Sequence, residues 1–139
     1  MRSARPPSPG GFAAAALPWL ALLYGAMSLA HFAHNATYIA DYPNLPRWLS
    51  AGDVWLSWAG LALLGVIGLV LYRHLHRIAG LALLGAWAAL GFDGLAHYAR
   101  APFLAHTAMM NFTILAEVAA AALLMACVLA LAPPALRRA

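Results

Sequence analysis

Imidazole and carboxylate side chains recur at helical spacing in three apolar segments of the chain. The titratable members are His31, His34, Asp93, His97, His106 and Glu117. Asp93 and His97 are four residues apart, and His106 and Glu117 are eleven apart with Met110 and Thr113 between them at offsets of four and seven. Residues three, four, seven or eleven positions apart share one face of an α-helix. The spacing therefore predicts that three helices each present a polar stripe to a common interior.

The depth of these side chains predicts a metal site. If successive helices alternate in direction, the four histidines of the three helices fall within roughly two turns of one membrane face. Ionisable groups in a membrane-spanning segment cost free energy and usually face the protein interior, where they have a function. Imidazole is a good ligand for zinc, copper and iron. We predict a transition-metal site whose ligands are His31, His34, His97, His106 and Asp93.

The two carboxylates are predicted to have different roles in catalysis. Asp93 lies one turn, about 6 Å, from His97. We expect it to stay ionised, either as a metal ligand or as the acceptor that orients the imidazole. Glu117 lies about 16 Å beyond His106, and we expect it to be a neutral acid that shuttles protons or donates a hydrogen bond. The predicted supporting polar residues are Asn35, Tyr98, Asn111 and Thr113.

Several functions are consistent with this constellation. A metal site either handles the metal itself or activates water against a lipid-like substrate. Two of the histidines on different helices are also the usual ligands of haem b in a membrane cytochrome. Without a metal, the same groups suit a proton-coupled carrier or an acid/base isomerase, and an accessory subunit of a membrane complex is a further alternative. Whether the protein is an enzyme is left open.

The elements that position these residues are four apolar segments. The chain has 139 residues, is 65% hydrophobic and 9% charged, and contains no lysine. Each segment approaches or exceeds the ~20 residues that span a bilayer. The predicted fold is an all-α integral membrane bundle of four antiparallel helices in up-down-up-down order. The predicted helices are residues 12–40, 54–72, 78–99 and 103–131, within a domain of residues 12–132.

The arginines predict the orientation of this bundle. Of the eight arginines, only Arg47 and Arg100 fall in the first and third connections; the other six lie near both termini and in the second connection. Positive charge favours the cytoplasmic side, so we expect both termini to be cytoplasmic, in a bacterial-type plasma membrane. The arginines form no cluster interleaved with aromatic residues, so we expect no nucleic-acid partner. The expected partners are lipid, a lipid-like small molecule, a second copy of the chain or a larger membrane complex.

The ends of the chain are predicted to be short tails. Residues 1–11 are rich in proline, glycine and serine, which favours disorder, and residues 133–139 form a second cytoplasmic tail. The amino-terminal segment also has the features of a signal peptide that would be cleaved after Ala30. We expect the first helix to be retained, because its apolar pattern continues past Ala30 to Ile39.

Overall fold

The computed structural model describes residues 9–136 of the chain. The predicted tail positions 1–8 and 137–139 lie outside the described residues. Within them the chain forms helices and turns and no strand. The α-helices are α1 (Pro9–Thr37), α2 (Ala51–Val70), α3 (Arg77–Leu90), α4 (Ala96–Arg100) and α5 (Ala108–Leu136). A π-helical turn (Leu71–Leu75) extends α2, a 3₁₀ turn (Gly91–Leu95) joins α3 to α4, and a second 3₁₀ turn (Phe103–Ala105) precedes α5.

Four helical segments in the described part of the chain are long and apolar enough to cross a membrane. They are Gly11–Thr37, Ala51–Leu75, Arg77–Arg100 and Ala108–Pro133. Their most apolar windows have mean hydropathies of 1.6, 2.2, 1.6 and 2.5, respectively. The predicted all-helical class and the predicted number of spans are confirmed, and the chain has the character of a multi-pass membrane protein.

The long helices pack in neighbouring pairs around a core that is apolar in one half. α1 packs against α2 and α5, and α3 packs against the same two helices. The apolar half centres on Leu17, Leu84, Leu124 and Leu131, each no more than 2% exposed. Because lipid-facing side chains are as apolar as this core, close packing rather than the hydrophobic effect holds such helices together.

The third span is interrupted where one continuous helix was predicted. Its 3₁₀ turn begins at Gly91, against which α1 and α5 pack unusually closely. A Cβ atom at Gly91 would lie 2.6 Å from the Cβ of Ala121 and 2.7 Å from the ring of Tyr24. A 3₁₀ turn has three residues per turn, so residues four apart no longer align. Asp93 lies in this 3₁₀ turn and His97 lies in α4, so the two side chains do not share one α-helical face as predicted.

The fourth span starts later than predicted. α5 begins at Ala108, not at residue 103, and Thr107 caps it by accepting a hydrogen bond from the backbone N–H of Met110 (3.2 Å). His106 was predicted to lie in the first turns of this helix. It instead lies before the cap in an extended conformation (φ −97°, ψ 146°). A threonine side chain that caps the backbone explains why the helix starts there.

The connection between α1 and α2 folds back onto the end of α4. Asn44 adopts a left-handed conformation (φ 57°), which asparagine tolerates better than most residues. Its side-chain amide donates to the carbonyl of Arg100 (2.8 Å). At the other end of the connection, Ser50 and Asp53 form a capping box that starts α2.

Candidate intramembrane polar site

The polar interior is concentrated in the half of the bundle that contains the first and third connections. Eight polar or charged side chains of the described residues are buried there or nearby: Ser28, His31, Asn35, His97, His106, Asn111, Thr113 and Glu117. None of them comes from α2. Burying such groups costs free energy unless they are hydrogen-bonded or paired. Their concentration identifies this region, hereafter the polar site, as the candidate functional site.

Two helical stripes form opposite walls of the polar site. On α1, Tyr24, Ser28, His31 and Asn35 follow at offsets of four, seven and eleven. The stripe of α5 ends at Glu117, which faces His31. Both side chains are almost fully buried, and His31 Nε2 lies 3.9 Å from Glu117 Oε2. Sequence reasoning missed Tyr24 and Ser28, although their spacing from His31 was the signal that would have found them.

Three of the four predicted imidazole ligands come together. The ring centroids of His31 and His97 are 5.4 Å apart, and those of His97 and His106 are 6.1 Å apart, both in edge-to-face contact. Asn35 Nδ2 lies 3.5 Å from His97 Nε2. His34 is not part of this series, because its ring contacts Tyr38 and Tyr42 instead.

Tyr42 is a residue of the polar site that was not among the predicted site residues. It lies in the first connection and is only 3% exposed. Its hydroxyl is hydrogen-bonded to Nδ1 of His34 (2.9 Å), and its ring lies 5.0 Å from that of His97. Burial raises the pKa of Tyr42 to about 12. Tyr42 is therefore a neutral phenol at physiological pH, able to donate to His34.

Two of the four predicted supporting residues, Tyr98 and Asn111, shape the segment that presents His106. The hydroxyl of Tyr98 donates to Asn111 Oδ1 (2.9 Å). Asn111 Nδ2 in turn donates to the carbonyls of Phe103 (3.2 Å) and His106 (3.4 Å). Thr113 donates to the carbonyl of Met110 on its own helix (3.1 Å). Asn111 thus anchors the turn before α5, while Nδ1 of the His106 imidazole is hydrogen-bonded to the carbonyl of Pro102 (3.2 Å).

A cavity of about 370 Å³ opens into the polar site. Its polar lining comprises His31, Asn35, Ser57, Asp93, His97, Arg100 and Glu117. Its apolar lining includes Phe32, Leu45, Leu49, Val54, Leu61 and Leu90. The two carboxylates that were predicted to be catalytic therefore face one space. Asp93 is exposed, and no hydrogen bond joins it to His97 among the described residues.

Several buried atoms of the polar site have no hydrogen-bond partner within the described chain. They are Ser28 Oγ, His31 Nδ1, Asn35 Oδ1, His97 Nδ1 and His106 Nε2. Unpaired buried polar atoms are rare in folded proteins and call for an explanation such as a bound ion, water or ligand. Among the described residues, however, no group of three or more histidine, cysteine, aspartate and glutamate side chains is arranged to hold a metal ion.

The chain matches no known protein family, no curated protein and no solved structure.

Proposed function

We propose that this protein is an intramembrane acid–base protein that exchanges protons with the polar end of a lipid-like molecule. The observation that carries the proposal is the buried His31–Glu117 pair, 3.9 Å apart, in the wall of the cavity. An acid and a base held in one poorly solvated place are what general acid–base catalysis requires. One member gives up a proton as the other takes one, so no co-reactant is needed.

The cavity suits a substrate that arrives from the bilayer. It combines titratable groups with leucine, valine and phenylalanine side chains. Val54 and Ser57 of α2 lie on its wall, and the residues between them are exposed on the surface of the bundle. A molecule with a hydrocarbon portion needs such a mixed lining, whereas a purely aqueous solute does not. Both an isomerase and a proton-coupled carrier use groups of this kind, and we favour the isomerase because the pair already contains an acid and a base.

The proposed orientation places the cavity near the outer face. We propose an antiparallel up-down-up-down bundle with both termini in the cytoplasm of a bacterial-type cell. Arg73 and Arg77 in the second connection support this arrangement, because arginine is enriched in cytoplasmic connections. The first and third connections, which flank the polar site, then face outward.

A transition-metal site is the second candidate. The specific observation in its favour is that His31, His97 and His106 each bury one ring nitrogen without a partner. A zinc, copper or iron ion bound there would polarise an oxygen atom of the substrate or lower the pKa of a bound water. His31 Nε2 faces Glu117 and His97 Nε2 faces Asn35, so these two rings would ligate through Nδ1. Haem b and the accessory-subunit role remain predictions that no single contact favours.

Infrared spectroscopy tests the acid–base proposal. Difference spectra of the protein in liposomes, recorded as pH is changed, should contain a protonated-carboxyl band that disappears in Glu117→Gln. The pH midpoint of that band should move in His31→Asn, because the carboxyl loses its partner. His34→Asn is the matched control, since His34 lies on the same helix but contacts Tyr42. An unchanged midpoint in His31→Asn would contradict the proposal.

Elemental analysis and a visible spectrum of the purified protein test the second candidate. Stoichiometric zinc, copper or iron that is lost in His97→Ala but retained in His76→Ala would support it, because His76 is exposed and lies outside the polar site. A Soret band would instead support haem. Protein that carries no metal after growth in metal-supplemented medium, and binds none on titration, would exclude this candidate.

A further inference from the structure

We propose that the ligand of the cavity is an amphipathic amine, whose protonated nitrogen lies between Asp93 and Glu117 and whose hydrocarbon portion extends along the apolar wall. This inference rests on the proposed function, because it names the chemical class of the molecule that the polar site accepts. It is carried by the hydrogen-bonding character of the cavity wall and by the placement of its charges.

The wall of the cavity offers several acceptors around its two carboxyl groups. Asp93 is exposed to this space and has no hydrogen-bond partner among the described residues. Glu117 contributes a second carboxyl group at the buried end. Asn35, itself 9% exposed, holds its carbonyl oxygen Oδ1 buried and unpaired. The neutral imidazole of His31 adds one acceptor nitrogen, whereas the acceptor nitrogen of His97 faces the amide Nδ2 of Asn35. An ammonium group has N–H donors and no acceptor, so it complements this set.

Unpartnered atoms of the same wall point to a ligand independently of the carboxylates. His31 is 3% exposed and His97 is 9% exposed, yet Nδ1 of each ring is buried without a hydrogen-bond partner. Leaving a buried polar atom unsatisfied is unfavourable, and the unpaired acceptor Asn35 Oδ1 is satisfied by a ligand that donates an N–H. A carboxylate or phosphate group offers no N–H to Asn35 Oδ1 and would face the like charge of Asp93.

The apolar lining selects for an amphipathic molecule. Leu61 of α2 and Leu90 of α3 line the same cavity as Asp93 of the third span. The volume of about 370 Å³ is within the range of small-molecule sites. It is enough for a small head group and the start of a chain whose remainder lies in lipid.

Arg100 is the one cationic side chain on the cavity wall that opposes this assignment. It is the last residue of α4 and is exposed. An arginine at the end of a span extends its guanidinium toward the interface. Binding of an anionic amphiphile through Arg100 is therefore the competing outcome of the test.

Equilibrium dialysis with the full chain in lipid nanodiscs tests the proposal. The probe is labelled N,N-dimethyldodecylamine, and empty nanodiscs measure its partition into lipid. We expect saturable binding of one amine per chain above that background. Asp93→Asn should weaken the binding by about tenfold or more, because a charge-assisted hydrogen bond is lost. Asp41→Asn is the matched control, since Asp41 is an exposed acid of the first connection that does not line the cavity.

Competing amphiphiles decide the sign of the preferred charge. Unlabelled dimethyldodecylamine should displace the probe, whereas dodecanol and dodecanoate should not. The inference is overturned by stronger displacement with dodecanoate, by the absence of saturable binding, or by equal affinity in Asp93→Asn. If the amine binds but the infrared midpoint of Glu117 is unchanged in His31→Asn, the amine site stands and the acid–base function fails. If the amine does not bind but the infrared midpoint of Glu117 moves in His31→Asn, the acid–base function stands and only the proposed amine ligand is wrong.

Discussion

Desolvation governs the polar site at the scale of single residues. A buried hydrogen-bonding atom without a partner costs about 1–3 kcal/mol, and several such atoms lie on His31, Asn35 and His97. A structural role alone is better served by apolar side chains of similar volume, which carry no such cost. The presence of these unpaired atoms in residues that line a cavity therefore supports a ligand-binding role.

Tyr42 provides a prediction at this scale. Tyr42→Phe removes the hydroxyl that is bonded to Nδ1 of His34, and we expect it to destabilise the protein by about 1 kcal/mol at neutral pH. The folded pKa of about 12 is above the ordinary value of 10.0. A raised phenol pKa contributes stability that is present below pH 10 and is lost as pH rises toward 12. Tyr42→Phe should therefore lose less stability over that alkaline range.

Thermal unfolding in detergent, followed by circular dichroism across alkaline pH, measures this effect. Tyr38→Phe is the control, because Tyr38 is 48% exposed and its hydroxyl bonds to no described residue. The assignment fails if the alkaline loss of stability is the same in Tyr42→Phe and in the wild-type protein.

The broken third span is the feature that matters most at the scale of elements. The 3₁₀ turn at Gly91–Leu95 brings Asp93 to the cavity and separates it from the α-helical register of His97. Short 3₁₀ stretches inside a helix commonly mark functional sites or strained sequences. Here the close approach of α1 and α5 to Gly91 accompanies the break.

Two glycines of this turn give a matched pair of variants. Gly91→Ala should destabilise the protein by about 1–3 kcal/mol, because the added methyl group overlaps Ala121 and Tyr24 and forces the helices apart. Gly94→Ala should cost much less, because its Cβ would meet Glu117, Ile114 and Val118 at an ordinary 3.7 Å. The melting temperatures of both variants in detergent provide the comparison. Equal decreases in melting temperature would mean that a side chain at Gly91 is tolerated as well as one at Gly94, which contradicts the close packing at Gly91.

At the scale of the whole molecule, the bundle has an apolar half and a polar half. The apolar half is closed by leucine packing, whereas the polar half holds the cavity and the unpaired atoms. Such asymmetry suits a site that receives its ligand from one membrane leaflet. Under the proposed function, the side of the membrane that faces the polar half determines which leaflet supplies the ligand.

Reporter fusions test the proposed orientation. A fusion after Arg77 and a second fusion after Ala139 should both report a cytoplasmic location, because the arginines near both points favour that side. A fusion within the first connection, at Arg47, should report the opposite side. An outward signal from either of the first two fusions would reverse the orientation and move the polar site to the inner leaflet.

Local patterns in the sequence determine the spans, one helix cap and the polar faces of two helices. The four spans follow from apolar length, and the capping box at Ser50 follows from two residues three positions apart. The polar faces of α1 and α5 follow from helical periodicity, which requires no knowledge of neighbouring helices. His31 and Glu117 were therefore recognised as candidate site residues without a structure.

Tertiary structure alone decided how these faces meet. The break after Leu90 lies where Ala121 and Tyr24 pack against Gly91, and nothing in the third span by itself reveals those neighbours. Tyr42 is buried because its connection folds back and is held at Asn44. Helical periodicity is a property of one segment, whereas the separation of His31 from Glu117 depends on the packing of two segments far apart in the chain. The acid–base pair therefore exists only once the helices are packed.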